Sequence, residues 1–202
     1  QLTQGLPQRA PAGAIAAEKA ANDYSKYAGR CEGGPEPPHC RASPPGPEEV
    51  VLWGDSHARA FAPTIEDAAR AEGLRMRLYT QSGCLPLLDV DRKAFGKEPR
   101  NCRPSNARML AAIADNPDVR IVILAGRWSL YTEAQPAGPK EAAIAYLVDD
   151  KDDRLSQANS RRAFREGLER TLAALREAVG PEVRIILVES APEVEFSVPT
   201  CF

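Results

Sequence analysis

The segment with the clearest potential for chemistry is Gly54-Asp55-Ser56, where a short apolar run at residues 50–53 gives way to helix-forming sequence. A serine at the carboxyl end of a buried strand, where the chain turns into a helix, has an exposed hydroxyl and an N–H near the positive helix end. Such a serine can attack a carbonyl carbon while neighbouring N–H groups stabilise the oxyanion. We therefore predict acyl transfer with Ser56 as the nucleophile; the alternative is an ordinary helix N-cap.

The elements that must position Ser56 alternate along the sequence from residue 49 onward. Apolar runs and alternating patterns predict strands at residues 50–53, 74–80, 119–125 and 183–188. Apolar residues at helical spacing predict helices at residues 57–72, 105–114 and 161–179. This order predicts an α/β fold with a parallel sheet and right-handed crossovers. The polar stretch at residues 131–160 is expected to be irregular, with a length that suggests a functional loop.

Parallel strands place their carboxyl ends at one edge of a sheet, where α/β proteins hold their working sites. The residues that follow the four predicted strands are Gly54, Asp55 and Ser56, then Gln81, Ser82 and Gly83, then Gly126, Arg127 and Trp128, and finally Glu189 and Ser190. This rim collects a nucleophile, glycines that can present backbone N–H groups, and a carboxylate.

Several rim residues have a structural alternative to a role in chemistry. Asp55 is expected to bind backbone N–H groups and shape the turn. Gly83 is as compatible with a plain turn as with an oxyanion donor. Trp128 and Tyr131 fit either stacking on a sugar ring or core packing. Adjacent residues at a helix start point in different directions, so His57 is expected to be structural and not the base for the neighbouring serine.

The first 48 residues differ in composition from the rest, being rich in Pro, Gly and Ala. We interpret residues 1–48 as a linker or cap with one helix at residues 13–27, and residues 49–202 as the catalytic domain. The proline-rich part of this segment is incompatible with regular structure. Because the chain begins with Gln1, we expect it to be a piece of a longer polypeptide.

Length and charge limit the possible functions. A chain of 202 residues, 43% of them hydrophobic, can bury one sizeable core, which predicts one main domain. Lys and Arg total 26 against 28 Asp and Glu, so no basic footprint for nucleic acid exists and we exclude that partner. No apolar run approaches the roughly 18 residues of a membrane span.

Five cysteines carry information about the cellular compartment. Their spacing fits no zinc site, because no C-x2-C pair occurs and the sequence holds two histidines, so we predict no metal. We expect the disulfides Cys31–Cys40 and Cys84–Cys102, each closing an irregular segment, and hence an oxidising compartment. The alternative is reduced thiols in a cytosolic protein. Cys201 is left over, which predicts a partner further downstream.

The rim segments resemble a known family. Gly54-Asp55-Ser56 resembles the first block of the SGNH/GDSL hydrolases, and the segments LWGDSHA, TQSGCLPL and VILAGRWSLY resemble one branch of it. That branch is the periplasmic SGNH domain attached to membrane-bound acyltransferase-3 proteins, which O-acetylate bacterial surface polysaccharides. The resemblance covers residues 49–188. Gly-x-Ser-x-Ala also approximates the nucleophile elbow of α/β-hydrolases, but that fold expects more strands before the serine.

The resemblance implies a flavodoxin-like three-layer α/β/α fold with Ser56 as the nucleophile. It further implies oxyanion donors from the N–H groups of Ser56 and Gly83, and a third donor from an asparagine after the third strand. This sequence has Gly126-Arg127-Trp128 at that place. Gly126, Arg127 or Trp128 would therefore have to replace the asparagine.

The family's DxxH block, which supplies the catalytic acid and base, lies beyond the last strand. No such motif occurs here, and the histidines are His39 and His57. Together with the leftover Cys201, this leads us to expect a chain that lacks the C-terminal part of the fold. A serine without its base is a weak nucleophile, so such a chain alone should be nearly inert.

The resemblance leads to three functional classes. The first is an extracytoplasmic, periplasmic O-acyltransferase that acts on a glycan and excludes water from its acyl-enzyme. It would need an acyl donor as co-substrate but no cofactor, and its partner would be a membrane-embedded acyltransferase domain of the same polypeptide. The second is a secreted carbohydrate esterase or lipase-like hydrolase of the same fold. The third is a non-catalytic glycan-binding module.

Overall fold

The computed structural model describes residues 49–94, 100–134 and 145–191, together with the backbone of Cys40 and Arg41. The predicted helix at residues 13–27 and the predicted Cys31–Cys40 disulfide lie outside the described residues, as do His39 and Cys201.

Strands and helices alternate over most of the described chain. The strands are β1 (Cys40–Arg41), β2 (Glu49–Gly54), β3 (Arg75–Thr80), β4 (Asp91–Lys93), β5 (Val119–Ala125), β6 (Tyr146–Val148) and β7 (Arg184–Leu187). The helices are α1 (Ser56–Ala71), α2 (Arg103–Ala114), α3 (Trp128–Thr132) and α4 (Gln157–Val179).

The main sheet has five strands in the order β1-β3-β2-β5-β7. Strands β3, β2, β5 and β7 are parallel, and β1 pairs antiparallel with β3. A second sheet pairs β4 with β6 antiparallel. The four parallel strands follow the order of a flavodoxin-like sheet. In that order, the path of the chain across the sheet reverses between β2 and β5. The predicted α/β class and parallel sheet are therefore confirmed.

Strand β2 shows why the molecule has three layers. Leu52 points to one face and packs in a cluster with Ala62 of α1. Trp53 points to the other face, in a larger cluster that includes Met109 of α2 and Leu175 of α4. A strand covered on both faces is apolar throughout and does not alternate, which is the pattern that made β2 predictable.

Two helices begin earlier than the sequence predicts. Helix α4 starts at Gln157 because Ser156 is its N-cap, and the Ser156 side chain accepts a hydrogen bond from the N–H of Asn159 at 3.1 Å. Helix α2 starts at Arg103, since a proline in the first helical turn needs no hydrogen-bonded N–H. Both helices begin with a polar first turn, so the spacing of apolar residues does not indicate where they start.

The prediction that residues 131–160 are irregular was wrong in part. Helix α3 extends to Thr132, and β6 pairs with β4. Strand β4 itself lies between Cys84 and Cys102, in a segment that was also predicted to be irregular. Leu147 of β6 is buried, and its N–H donates to Ser160 Oγ of α4 at 3.0 Å. The two strands were missed because each has three residues and β4 is entirely polar.

Candidate active site

The strands β2, β3 and β5 end level with one another. Gly54, the last residue of β2, pairs with Thr80 of β3 and with Ala125 of β5. The N–H of Gln81, just after β3, donates to the Gly54 carbonyl at 3.1 Å. Because the strand order reverses between β2 and β5, a crevice is expected at these carboxyl ends. The connections after the three strands therefore meet at one place.

Close backbone packing requires glycine at the end of β2. A Cβ on Gly54 would lie 1.7 Å from the carbonyl oxygen of Ala125 and 2.8 Å from the Cβ of Ala58. No real Cβ atom tolerates such a distance from a backbone atom. Because residue 54 is a glycine, β5 and α1 can pack closely against the turn that carries Ser56.

Asp55 links the turn after β2 to the turn after β5. It caps α1, with Oδ1 accepting a hydrogen bond from the N–H of His57 at 2.7 Å. Its other oxygen, Oδ2, accepts from the N–H of Arg127 at 3.1 Å. The residue is 1% exposed, and this burial raises the pKa of Asp55, while the N–H groups of Arg127 and His57 oppose the rise. The carboxylate therefore holds the turn after β2 against the turn after β5.

Ser56 is the first residue of α1 and is exposed to solvent. The first N–H groups of a helix have no partner within the helix, and the helix dipole makes this end positive. A hydroxyl at this position is accessible to a substrate, and negative charge that develops beside it is stabilised. The structure therefore places Ser56 where a nucleophile for acyl transfer would be placed.

Gly83 lies in a tight turn after β3. The turn is closed by a hydrogen bond from the N–H of Cys84 to the carbonyl of Gln81 at 3.0 Å. Gly83 occupies the third position of the turn with a φ of 74°, which favours glycine. The turn thus accounts for Gly83 structurally, and its position at the rim also leaves the oxyanion role open.

Two side-chain links anchor the Gly83 turn. The predicted Cys84–Cys102 disulfide is present and ties the turn to the start of α2. On the other side, Arg59 Nη2 of α1 donates to Ser82 Oγ at 2.6 Å. The turn is therefore fixed both to α2 and to the helix that begins with the nucleophile.

Gly126 is one of the candidates for the third oxyanion donor. The N–H of Arg127 already donates to Asp55. A Cβ on Gly126 would lie 2.6 Å from Leu85 Cδ2 and 3.6 Å from the Asp55 carboxyl group. Gly126 thus lies beside Asp55 and the turn that carries Ser56, and a side chain at this position would require Leu85 to move.

The two aromatic residues after β5 belong to the core. Trp128 is 8% exposed, packs edge-to-face on Phe164 with ring centroids 5.8 Å apart, and donates its indole N–H to the Val188 carbonyl at 2.7 Å. Tyr131 is 3% exposed. The structure shows core packing for both rings, and neither offers a face for a sugar.

His57 is half-buried, and its backbone N–H is bound to Asp55. Consecutive helical residues are rotated by about 100°, so the side chains of Ser56 and His57 diverge. Among the described residues His57 is the single imidazole. The described part of the chain thus brings together a candidate nucleophile and candidate oxyanion donors, without a well-placed base.

Sequence reasoning missed three arginines around the Gly83 turn: Arg59, Arg92 and Arg100. Arg59 stands three residues after Ser56, so the helical spacing could have placed it on the nucleophile's face of α1. Arg92 and Arg100 come together through β4, a strand for which the sequence gives no signal.

The described ranges contain no group of His, Cys, Asp and Glu side chains that could hold a metal ion. In those same ranges, every helix is too short or too polar to cross a membrane.

A family model matches most of the chain. It is described as "SGNH domain (fused to AT3 domains)" and covers residues 24–202. The chain belongs to this SGNH domain family. The resemblance inferred from the Gly-Asp-Ser segment is thereby confirmed, and the SGNH match includes the second half of the segment predicted to be a linker or cap.

The other comparisons add little. The comparison with curated proteins gave no match. Among solved structures, the chain is similar to the periplasmic domain of a lipopolysaccharide acetyltransferase from Salmonella ser. Paratyphi A, with 18% identity and a TM-score of 0.44. The match covers 70% of this chain and 44% of that chain, so this SGNH domain spans less than half the length of that relative.

Proposed function

We propose that this SGNH domain transfers an acyl group, through an ester on Ser56, to a hydroxyl group of a glycan outside the cytoplasm. The observation that carries the proposal is the exposed Ser56 at the start of α1, level with Gly126 and the Gly83 turn at the carboxyl rim. Membership of the SGNH family supports acyl chemistry at this rim.

The reaction has two steps that share one oxyanion site. Ser56 Oγ attacks the donor's carbonyl carbon, its proton passes to a base, and the tetrahedral oxyanion is stabilised by the N–H groups of Ser56, Gly83 and Gly126. Collapse expels the donor's leaving group with that proton and leaves the acyl-enzyme. A glycan hydroxyl then attacks the ester carbonyl carbon and loses its proton to the base. The second tetrahedral intermediate collapses to the acylated glycan, and the base returns the proton to Ser56 Oγ. An acyl donor is the one co-substrate required.

We infer that the donor is delivered by a membrane-embedded acyltransferase-3 domain of the same polypeptide, because SGNH domains of this family are described as fused to such domains. This arrangement would place the SGNH domain on the extracytoplasmic side. The Cys84–Cys102 disulfide is consistent with an oxidising compartment.

The exposure of Ser56 favours a second candidate, a carbohydrate esterase. Water that reaches an acyl-enzyme hydrolyses it, so transfer to a glycan requires water to be excluded from the site. Ser56 is exposed in the described part of the chain. The same nucleophile would then serve hydrolysis.

The test uses the polypeptide with its acyltransferase-3 domain and a fluorophosphonate probe, which labels activated serines. We expect labelling in the wild type and none in Ser56→Ala. Ser156→Ala is the matched control, because Ser156 is also an exposed serine at a helix start, and it should label like the wild type. No labelling in the wild type would overturn the proposal in favour of a binding module, and equal labelling of Ser56→Ala would overturn it by showing that the activated serine is a different one.

A second experiment separates transfer from hydrolysis. The wild type receives an acetyl donor with and without a polysaccharide acceptor. A transferase yields acetylated glycan, whereas an esterase yields free acetate in both reactions. Mass spectrometry of the glycan decides between the two.

A further inference from the structure

Two arginine side chains converge on the Gly83 turn. The position that a Cβ would take on Gly83 lies 2.3 Å from Arg92 Nη1 and 3.5 Å from Arg100 Nε. Both guanidinium groups are permanently charged. Two like charges therefore share a small region directly beside a candidate oxyanion donor.

The backbone imposes this closeness. Arg92 and Arg100 form an antiparallel bridge. The Arg100 N–H donates to the Arg92 carbonyl at 2.7 Å, and the Arg92 N–H donates to the Arg100 carbonyl at 3.3 Å. Like charges directly opposite each other on paired strands destabilise the pair. The local fold thus maintains a repulsive arrangement that another interaction should offset.

In the described part of the chain, the neighbouring carboxylate of Asp91 is engaged elsewhere. Asp91 accepts hydrogen bonds from the N–H of Cys102 at 2.7 Å and pairs with Arg103 at 2.9 Å. Arg100 Nη1 donates to the Ser82 carbonyl at 2.9 Å, and the Arg92 guanidinium lies 5.7 Å from the centre of the Tyr131 ring. Within the described ranges, neither Arg92 nor Arg100 has a carboxylate within ion-pair distance.

The arginine pair is linked to the surroundings of the nucleophile. Arg59, one turn after Ser56 on α1, binds the hydroxyl of Ser82, which directly precedes Gly83. On the other side, burial and the charge of Asp55 raise the pKa of Tyr131, while Arg92 opposes the rise. A ligand group held by the pair would thus lie beside the Gly83 turn, at the same rim of the sheet as Ser56.

We propose that Arg92 and Arg100 bind an acidic group of the glycan acceptor, a carboxylate or a phosphate, and so select acidic glycans. This inference rests on the proposed function. The planar fork of a guanidinium matches both groups with paired, charge-assisted hydrogen bonds. An anion between the two arginines would also relieve their mutual repulsion.

The test measures binding by titration calorimetry, using the polypeptide with its acyltransferase-3 domain. The probes are an oligogalacturonate, a phosphorylated manno-oligosaccharide, and the neutral counterpart of each. We expect at least one acidic probe to bind about tenfold or more tightly than its neutral counterpart, since hydrogen bonds to charged groups contribute that much. The preference should weaken in high salt. Comparing the two acidic probes distinguishes carboxylate from phosphate.

Substitutions of Arg92 and Arg100 test whether these two residues bind the acidic probe. Arg100 is exposed, so Arg100→Gln should fold normally and lose about tenfold in affinity for the acidic probe. Arg92→Lys keeps the charge but not the fork and should lose part of the affinity. Arg184→Gln is the matched control, because Arg184 is exposed at the opposite, amino end of β7. Circular dichroism checks that each variant is folded.

The outcomes separate this inference from the proposed function. Equal binding of acidic and neutral probes, or equal losses in Arg100→Gln and Arg184→Gln, would overturn the inference. Ser56→Ala should bind the acidic probe like the wild type. If binding depends on Arg100 but the wild type shows no serine labelling, the anion site stands and the proposed acyl transfer falls.

Discussion

The carboxylate of Asp55 accepts a hydrogen bond from the backbone N–H of Arg127, 72 residues further along the chain, at 3.1 Å. The same carboxylate accepts from the N–H of His57, next to the nucleophile. The turn that carries Ser56 and the turn that carries Gly126 are therefore held together by one buried side chain. Asp55 is a positioning residue for the proposed chemistry.

Asp55→Asn should slow probe labelling of Ser56 about tenfold or more. An asparagine presents one oxygen, so one of the two buried N–H groups would lose its acceptor, at a cost of about 1–3 kcal/mol. Because burial raises the pKa of Asp55 above its usual value of 3.8, the wild type should lose labelling as the pH falls through that raised pKa and Asp55 is protonated. The variant should lack this part of the pH profile. Identical rates and profiles for the two proteins would contradict the positioning role.

His57→Gln should retain most of the labelling rate. The His57 side chain diverges from Ser56, and its contribution to the cap of α1 comes from the backbone N–H, which glutamine preserves. Removal of a true general base would lower the rate by about 10²–10⁴-fold. The rate of fluorophosphonate labelling tests this prediction. A loss of about 10²–10⁴-fold in that rate would identify His57 as the general base.

Gly54→Ala should not give a folded protein. The new Cβ would lie 1.7 Å from the Ala125 carbonyl, so β2 and β5 could not both keep their positions. Gly73→Ala is the matched control, since a Cβ on Gly73 meets no atom within 4 Å. Its φ of 73° should cost about 1 kcal/mol. Soluble yield and thermal melts compare the two, and a stable Gly54→Ala would show that the strands can separate.

A buried ion cluster at the amino end of the sheet should make stability depend on pH. Glu49 is 2% exposed and receives two hydrogen bonds from Arg77, at 2.7 and 2.8 Å, and an ion pair from Arg75 at 3.1 Å. Burial acts to raise the pKa of Glu49, but the hydrogen bonds from Arg77 and Asn116 outweigh it and leave the pKa below 4.5. The ionised form is therefore favoured by folding.

Glu49→Gln should reduce the free energy of unfolding by about 3 kcal/mol at neutral pH, because the buried guanidinium of Arg77 loses its counter-charge and that of Arg75 keeps the one from Asp118, at 3.5 Å. A lowered folded-state pKa gives stability that is present above the unfolded value and is lost as pH falls through the folded one. The difference between wild type and variant should thus shrink below pH 4.5. Urea unfolding of both proteins above and below pH 4.5 tests this prediction. A difference in unfolding free energy that does not change with pH would contradict the role of ionised Glu49.

The elements that carry the nucleophile were predictable because their signals are local. The largely apolar segment of β5, interrupted only by Arg120, was sufficient to predict both of its ends, at Val119 and Ala125. The change from apolar strand to helix at Gly54-Asp55-Ser56 located the turn to within one residue. Parallel strand ends then placed Gly126 at the same rim.

Features that depend on pairing between distant segments were not predictable. The hydrogen bond from Arg127 to Asp55 follows from the register of β2 against β5, which no local pattern encodes. Arg92 and Arg100 meet because Arg100 forms an antiparallel bridge with Arg92 of β4, a polar strand of three residues. The core position of Trp128 likewise depends on Phe164 of α4.

The Cys84–Cys102 bond closes directly beside Gly83 and buries both sulfur atoms. A newly synthesised chain carries these residues as thiols, so the final shape of the crevice awaits an oxidation step. Maturation of the proposed transferase is consequently coupled to thiol chemistry. Preparations made under reducing conditions should be scored for thiol content before their specific activities are compared.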